Sequence, residues 1–385
     1  MPRFTRPALS AAAALLFAAA APSALADIKI GLMVPLTGFA AADGKSAHEG
    51  AKLAVAQANA KGGINGEKVE LVVYDDQASP KEAVPAATKL IQRDKVVGGV
   101  SGSYSASTRA SAGVFQNAKV PYVTAYAIHP DITRVGDYMF RVSAMGEVQG
   151  RAGAKLVNEL GKKKVALITV KNDFGQSLAA GFKEGAPKFN LDIVGEHEYS
   201  LQDRQFGPLV AKVKSQAPEV IYASGYYYTA GPLVAQLRAA GITAPIIGQE
   251  GYDSEKFMEI AGPASEGVLV TTSLDRDSER PATKAFLSAY RDATKEGADM
   301  VAASTYTAVT VLLDGLRKTG GKGGAALRDA MASGKFDTPI GDLNFNDLHE
   351  VKKDVQVQVV KNKAFHRHSV ISDPALLAPP SKESK

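Results

Sequence analysis

Hydroxyl side chains follow an apolar strand pattern in the first third of the chain, where they could bind an anion. Residues 95–100 are typical of a buried strand, and Ser105 stands where the N-cap of the next helix is expected. Its hydroxyl could accept a backbone N–H of the first helical turn, or share the donors of that turn with a bound anion. Ligands of open α/β sheets bind at edges of this kind. The stretch is equally consistent with an ordinary capped turn and with half of a binding site.

Three consecutive tyrosines and a glutamate end two strand patterns in the second half of the chain. Tyr226, Tyr227 and Tyr228 follow the pattern at 220–224, and Glu250 ends the next pattern between glycines. Rings and hydroxyls together suit a small ligand, although packing in or beside the core would account for at least two of the tyrosines. Glu250 is either a solvated loop charge or the counter-charge of a ligand's ammonium group, because an ion pair is stronger in a cleft than on a surface.

Two short motifs resemble enzyme signatures but lack the parts that those enzymes need. Five residues separate Gly38 from Gly44, whereas a phosphate-binding loop has four, so the N–H groups would not all point at one phosphate. The triplet at 173–175 matches the metal triplet of kinases, without a catalytic-loop motif or a glycine-rich strand. The six histidines are scattered and no cysteine supports a metal site. The sequence therefore predicts no enzyme, no metal and no cofactor.

The composition is that of an ordinary globular protein with room for two cores. The chain has 385 residues, of which 45% are hydrophobic and 22% charged. The formal charge of +5 is spread along the chain without an arginine-rich tract. This distribution argues against nucleic-acid binding.

The first 26 residues have the features of an export signal. Two arginines precede an apolar run over 8–21, and Ala24 and Ala26 have the small-x-small cleavage form, which predicts a mature start at Asp27. No later stretch has 18 consecutive apolar residues, so no membrane-spanning helix is predicted. The sequence contains no cysteine, so an exported chain needs a large core for its stability, and no cysteine can carry a lipid.

Strand and helix patterns alternate along the chain in two similar runs. The predicted strands cover 28–36, 69–74, 95–100 and 120–124 in the first run, and 164–170, 191–198, 220–224 and 245–248 in the second. Such alternation predicts parallel sheets flanked by helices, and the repeat predicts two Rossmann-like lobes of the α/β class. Helices at 281–295 and 301–318 and a strand at 354–360 follow, so the chain crosses between the lobes more than once and forms a hinge.

These patterns predict the division of the chain into two lobes with two flanking segments. The N-terminal lobe comprises 27–144 with 275–355, and the C-terminal lobe 145–274 with 356–372. The signal peptide covers 1–26. The Pro/Ser/Lys-rich residues 373–385 are predicted to be a disordered tail.

Short motifs along nearly all of the mature chain match one known family. They are Ile28-Lys-Ile-Gly, Asn59-Ala-Lys-Gly-Gly-Ile-Asn-Gly66, Tyr74-Asp-Asp76, Ser79-Pro-Lys81, Ser105-Ala-Ser-Thr108, His129-Pro-Asp-Ile-Thr133, Gly225-Tyr-Tyr227, Glu250-Gly251, Ala261-Gly262 and Glu266-Gly-Val-Leu-Val270. Through them the chain resembles the periplasmic leucine/isoleucine/valine-binding proteins of ABC importers, which have the type I periplasmic-binding fold.

The resemblance implies a ligand site to which the first lobe contributes donors. Ser105 matches the family serine whose hydroxyl helps to hold a ligand carboxylate. Tyr126, Ala127 and Ile128 match a segment that offers backbone groups to the ligand's amino and carboxylate ends. Ile128 replaces a carboxylate-binding threonine, which removes one hydroxyl donor.

The resemblance also implies that the second lobe closes over the ligand. Tyr226 and Glu250 match the tyrosine and glutamate that contact the amino acid, and Phe174 matches an aromatic that covers it. Asp43, in the first lobe, stands where leucine-type binders carry an aromatic against the ligand's side chain. An acid there could favour a polar or basic side chain, or it could point away.

We therefore expect a periplasmic substrate-binding protein of an ABC transporter, without enzymatic activity. It would bind an amino acid, of the branched-chain type or related, between its lobes, and deliver it as a monomer to the permease subunits in the membrane. Two alternatives stay open: a binder of an amide, a urea-like compound or an aromatic acid, and a ligand-sensing subunit of the same fold. Glu250 favours an α-amino acid, because a lone buried glutamate against an aromatic acid would be costly.

Overall fold

The computed structural model describes Met1, Pro2 and residues 27–382 of the chain. The predicted signal peptide falls on residues that lie, apart from Met1 and Pro2, outside this part. Within 27–382, strands and helices alternate as the sequence predicts, and they form two large sheets with helices packed on them. No helix of this part has the length and hydropathy that crossing a membrane requires.

The bounds of the regular elements follow the apolar patterns closely. The strands are β1 (Ile28–Val34), β2 (Val69–Asp75), β3 (Gly98–Ser101), β4 (Tyr122–Thr124), β5 (Met139–Arg141), β6 (Lys164–Val170), β7 (Asp192–Tyr199), β8 (Val220–Ala223), β9 (Ile246–Gly248), β10 (Leu269–Thr272), β11 (Lys335–Thr338), β12 (Gly341–Asn344), β13 (Val355–Lys361) and β14 (Ala364–Ile371). The α-helices are α1 (Ala41–Ala60), α2 (Pro80–Gln92), α3 (Ser105–Ala118), α4 (Asp131–Arg134), α5 (Gly146–Glu159), α6 (Asp173–Gly185), α7 (Gly207–Gln216), α8 (Tyr227–Ala239), α9 (Glu255–Ala261), α10 (Pro281–Thr294), α11 (Met300–Thr319) and α12 (Gly324–Ala332).

The two large sheets repeat one strand order. The first has the order β2-β1-β3-β4-β5, and its pairs are parallel. The second has the order β14-β13-β10-β9-β8-β6-β7, in which the pairs from β6 to β10 are parallel and β13 and β14 add an antiparallel edge. Its segment β7-β6-β8-β9-β10 has the order of the first sheet. This architecture confirms the predicted α/β class, whereas the sequence analysis did not predict β5, β10, β11, β12 and β14.

The chain passes between the two sheets three times within residues 27–382. After β5 it moves to the second sheet, beside which α5 packs on α6. After β10 it returns, since α10 and α11 pack on α1, and before β13 it crosses again. Several connections between two bodies form a hinge. The predicted lobe boundaries lie near these crossings and stay a prediction.

Close packing of two helices brings the first half of α1 against the start of α11 in the first lobe. A Cβ at Gly50 of α1 would lie 2.4 Å from the carbonyl oxygen of Ala302 on α11, so only glycine permits this approach. Ser46 of α1 donates a hydrogen bond of 2.7 Å to Asp299, the N-cap residue of α11. Residues 46–50 of α1 are therefore held beside the start of α11.

A buried ion pair connects the end of β5 with the segment that leads to the third crossing. Arg141 and Glu350 are fully or almost fully buried, and Nε of the arginine lies 2.9 Å from Oε2 of the glutamate. The same guanidinium donates to the carbonyl oxygens of Ala127 and, at 2.7 Å, of His129. One cation thus holds the loop after β4 in place, and its own charge is compensated by Glu350.

The tail differs from the sequence-based prediction. Residues 373–385 are predicted to be disordered, but residues 376–378 are docked on the second lobe, and the backbone of Pro380 and Lys382 is hydrogen-bonded to Asn346 and Asp347. Arg151 of α5 donates hydrogen bonds of 2.8 Å to the carbonyl oxygens of Leu376 and Ala378, and Leu377 is 1% exposed. Burial of Leu376 and Leu377, together with the hydrogen bonds from Arg151, stabilises the docked tail although most of its residues are polar or small. The prediction of disorder is therefore wrong for 373–382, while residues 383–385 lie outside the described part.

Leu377→Ala tests this docking. We expect the variant to lose about 2–5 kcal/mol of unfolding free energy, because a buried leucine is replaced by a smaller side chain that leaves a cavity. Urea unfolding followed by circular dichroism measures the change. Ala378→Ser, at an exposed neighbouring position, is the control and should match the wild type. A Leu377→Ala variant as stable as the wild type would indicate a detached tail.

Candidate functional site

A small cavity lies where the two lobes face each other. Its volume is about 20 Å³, which is room for about one water molecule. Both lobes supply its lining, which consists of Asp43, Tyr104, Ser105, Tyr126, Phe174, Tyr226, Glu250, Gly251, Met300 and Val301. Six of the eight residues that the sequence singled out are thus brought together here. Ala127 and Ile128 are not among the lining residues.

Ser105 reaches the cavity as the first residue of α3. The sequence predicted it as the N-cap, but Tyr104 occupies that position, and Ser105 makes a different contact. Its Oγ accepts the N–H of Ile128 at 3.1 Å and, more weakly, that of His129 at 3.4 Å. The hydroxyl keeps its own hydrogen for a further acceptor, and the first N–H groups of a helix have no partner within it. The start of α3 can therefore serve an anion.

The loop after β4 forms the wall behind Ser105. Tyr126 lines the cavity and donates from its hydroxyl to the carbonyl oxygen of Gly102 at 2.6 Å. The N–H of Ala127 donates to Oγ1 of Thr124 at 3.2 Å, and the side chain of Ile128 is fully buried. The backbone donors of Ala127 and Ile128 are thus engaged within the protein. In this geometry both residues support Ser105, and direct contact with a ligand stays a prediction for them.

Aromatic rings from both lobes are stacked at the cavity. The rings of Tyr104 and Tyr226 are stacked, with centroids 4.2 Å apart and planes inclined by 18°. The ring of Phe174 also stacks on Tyr226, at a centroid distance of 4.9 Å. Asn172 donates to the hydroxyl of Tyr226 at 3.1 Å. The sequence analysis missed Tyr104, although it stands directly before Ser105. Met300 and Val301 were also missed, because nothing local links the start of α11 to this edge.

Glu250 is buried against donors of the second lobe. Ser273 donates to its Oε1 at 2.6 Å and Gln149 to its Oε2 at 3.1 Å, and the residue is 3% exposed. Burial raises the pKa of Glu250, and the two hydrogen bonds act in the opposite direction. The structure thus excludes the solvated loop charge that the sequence left open.

Lys353 is a buried cation near Glu250 that the sequence analysis missed. Its Nζ has no hydrogen-bond partner within the described part of the chain. Burial lowers the pKa of Lys353 to about 8, while the charge of Glu250 acts to raise it. The lysine lies just before β13, in the third segment that connects the lobes, and its charge interacts with that of Glu250.

Asp43 lies in the first turn of α1 and faces the cavity. The hydroxyl of Tyr104 donates to its Oδ2 at 2.6 Å, and the residue is 5% exposed. Burial raises the pKa of Asp43 to about 7, assisted by the nearby charges of Asp299 and Asp253 and opposed by the hydrogen bond from Tyr104. Of the two orientations that the sequence left open, the structure has the one that points into the site.

Hydrogen-bond donors and acidic side chains line different parts of the cavity. Ser105 and the start of α3 offer hydrogen bonds to an anion, whereas Asp43 and Glu250 accept them from a cation or an N–H group. No basic side chain is among the described lining residues. Within the same part of the chain, no group of three or more His, Cys, Asp or Glu side chains is arranged to hold a metal ion. The arrangement suits a small molecule with a carboxylate and at least one donor group.

Contacts across the cleft hold the two lobes together. Arg109 of the first lobe lies 2.9 Å from Asp173 of the second (Nε to Oδ2). The hydroxyl of Tyr227 donates to the carbonyl oxygen of Phe39 at 3.0 Å. A molecule larger than water has to separate these contacts to reach the cavity, and the hinge permits such a separation.

Comparison with known proteins shows similarity along most of the chain. A family model described as periplasmic binding protein matches residues 27–364. The leucine-, isoleucine-, valine-, threonine- and alanine-binding protein of Pseudomonas aeruginosa is 32% identical over 84% of this chain and 87% of its own. Among solved structures, the branched-chain amino acid transporter substrate-binding protein LivJ of Streptococcus pneumoniae, in complex with isoleucine, has a TM-score of 0.84 at 28% identity and covers 90% of this chain and 99% of its own. A benzoate-bound solute-binding protein of R. palustris has a TM-score of 0.83 at 23% identity over 93% and 99%, a likeness of fold alone.

Asp43→Asn tests the burial of this carboxyl through the pH dependence of stability. The folded protein keeps the proton up to about pH 7, whereas an ordinary aspartate has a pKa of 3.8. Between these values the folded state binds more protons than the unfolded state. The contribution of Asp43 to stability is therefore complete below pH 3.8 and falls as the pH rises towards 7, by at most about 1.4 kcal/mol per unit. Urea unfolding between pH 4 and 8 should show a smaller loss for the variant than for the wild type.

Asp292→Asn, on an exposed face of α10, is the matched control, since it changes the formal charge equally. Equal pH slopes for Asp43→Asn and the wild type would contradict the buried carboxyl.

Proposed function

Because the chain belongs to the family of periplasmic binding proteins, as the sequence motifs predicted, we propose that it is the substrate-binding protein of an ABC transporter and captures an α-amino acid between its lobes. The observation that carries this proposal is one cavity in which Ser105 of the first lobe and Glu250 of the second are both buried. Of the named relatives, one is a leucine-, isoleucine-, valine-, threonine- and alanine-binding protein and another is a branched-chain amino acid transporter substrate-binding protein. We infer the same role here, without catalysis.

The polarity of the cavity suggests how an amino acid lies in it. We infer that its carboxylate accepts from the hydroxyl of Ser105 and from the first N–H groups of α3, where the helix dipole also favours a negative charge. Its ammonium group pairs with Glu250, whose carboxyl is otherwise desolvated. A charge-assisted hydrogen bond in a dry site offsets that desolvation. Tyr226 and Phe174 pack around the ligand.

Closure of the lobes follows from this arrangement. A ligand that contacts Ser105 and Glu250 together makes both contacts only when the lobes meet, so it shifts the population towards the closed form. The three connections between the lobes provide the hinge. The closed protein then presents both lobes to the permease, and separation of the lobes releases the ligand.

The relatives are periplasmic binding proteins, which implies export to the periplasm and a small-molecule ligand. We propose cleavage of the signal peptide before Asp27 and action as a monomer that binds no nucleic acid. The permease subunits are the proposed membrane partner.

Two other ligand classes differ in the interactions that they could make with Glu250. An aromatic acid has no ammonium group, so its binding would leave this buried carboxyl with no cationic group from the ligand, only its hydrogen bonds from Ser273 and Gln149 and the nearby charge of Lys353. An amide or urea-like ligand could donate N–H groups to both Asp43 and Glu250, and it remains the second candidate for that reason. A sensing role would use the same closure with a different partner.

Glu250→Gln tests the assignment of the ammonium site. We expect amino-acid binding to weaken by about 2–5 kcal/mol, because the charge-assisted pair is lost while the shape is kept. A thermal-shift panel of aliphatic, polar and basic amino acids, amides and aromatic acids first identifies the ligand, since 100 times its Kd adds about 2.7 kcal/mol of stability. Calorimetry then measures the affinity of both proteins.

Glu259→Gln, at an exposed position of α9, is the control for Glu250→Gln. Unchanged affinity in Glu250→Gln would remove Glu250 from the site. A panel in which no amino acid stabilises the wild type would contradict the proposed function.

Ser105→Ala tests the carboxylate end. The expected loss of affinity is smaller, about 0.5–2 kcal/mol, since one hydroxyl is removed and the N–H groups of α3 remain. The same calorimetry checks this. Tighter binding of the ligand by the variant would be incompatible with the assignment.

A further inference from the structure

We propose that Asp43 determines specificity by accepting a hydrogen bond from an N–H or O–H group on the ligand's side chain, so that the site prefers a polar or basic amino acid to an aliphatic one. The inference rests on the proposed function, because it assumes an amino acid held between Ser105 and Glu250. It goes beyond the relatives, whose named ligands are mainly aliphatic.

The two acids of the cavity are separate sites. Glu250 receives its donors from Ser273 and Gln149 of the second lobe, whereas Asp43 receives its donor from Tyr104 of the first. Among the residues that the structure describes, the two carboxyl groups share no hydrogen-bond partner. If Glu250 pairs with the ammonium group, Asp43 is left for a different part of the ligand, and the side chain is the part that remains.

The hydrogen bond from Tyr104 leaves Asp43 able to accept a further hydrogen bond. It uses Oδ2, and a carboxyl group has acceptor capacity on both oxygens. An aliphatic side chain in the cavity would displace water from this acceptor and offer no donor in return. A site built to accept from an OH or NH group discriminates strongly against ligands that lack one, because its own polar group is then left unpaired.

The negative charges near Asp43 also favour a hydrogen-bond donor on the ligand, and favour a cationic group most. Asp299 caps α11 and accepts a hydrogen bond from Ser46 of α1, three residues after Asp43, and Asp253 follows the turn that carries Glu250. Arg276 is a cation near Asp253 and Asp299, and it is already paired with Asp253. Desolvation keeps the carboxyl of Asp43 largely protonated at acidic pH. A basic side chain would draw off that proton, whereas a neutral amide or hydroxyl would leave the protonation of Asp43 unchanged.

Pairs of amino acids with nearly equal shape test the proposal by calorimetry. The pairs are threonine against valine and asparagine against leucine, with ornithine as the basic probe. The wild type should bind the polar member of at least one pair, or ornithine, at least tenfold more tightly than the aliphatic members. Proton release, measured by repeating the titration in buffers of different ionisation enthalpy, should accompany ornithine and not the neutral ligands. Either kind of preferred ligand supports the proposal.

Asp43→Leu should reduce that preference at least tenfold. Asp43→Asn is the second variant, should Asp43→Leu fail to fold, and it should weaken ornithine binding at least tenfold. Asp76→Asn is the matched control: Asp76 is a fully buried acid of the same lobe, bound by the hydroxyl of Ser103 at 2.9 Å and absent from the cavity lining. This control should keep the wild-type preference.

Two results would overturn the proposal: leucine and valine bound by the wild type as tightly as threonine, asparagine and ornithine, or a preference that Asp43 variants leave unchanged. Glu250→Gln separates this failure from failure of the proposed function. If Glu250→Gln weakens leucine and valine while Asp43 variants do nothing, the protein binds amino acids and only the role of Asp43 is wrong. If no amino acid binds to the wild type, the function itself is wrong.

Discussion

Two carboxyl groups are buried where the lobes meet, and their separation from water is the constraint on which the site depends. Glu250 and Asp43 are 3% and 5% exposed. Burial raises the pKa of both, and each is partly stabilised by hydroxyl or amide donors of its own lobe. A buried charge is costly unless it is paired, so the complement of this cavity is a molecule with cationic or N–H groups.

The fold serves this constraint by placing the ends of many elements at one edge. Ser105 starts α3 and Asp43 lies in the first turn of α1, while Glu250 follows β9. The ion pair of Arg141 with Glu350 fixes the loop behind Ser105 and ties it to the segment that leads back to the second lobe. Because the two lobes are joined by a hinge, ligand binding can bring them together as rigid bodies, without any change inside either sheet.

The elements of the fold could largely be predicted from the sequence, because the apolar patterns that define strands and helices are local. The site could be predicted where a chemically distinctive residue ends a strand, as Glu250 and Tyr226 do. The partner of Ser105 could not, since Ile128 is 23 residues away and the contact depends on the course of a loop. Lys353 lacked a signal because only long-range folding brings it near Glu250. The docked tail was missed because the stretch is mostly polar, proline and alanine, and only two leucines, Leu376 and Leu377, are buried in it.

A crystal structure of the protein with its tightest-binding amino acid tests the central claim most directly. The account predicts a ligand enclosed by both lobes, with its carboxylate within hydrogen-bond distance of Oγ of Ser105 and its ammonium nitrogen within that distance of the carboxyl of Glu250. A ligand bound outside this cleft, or one whose ammonium group points away from Glu250, would contradict it.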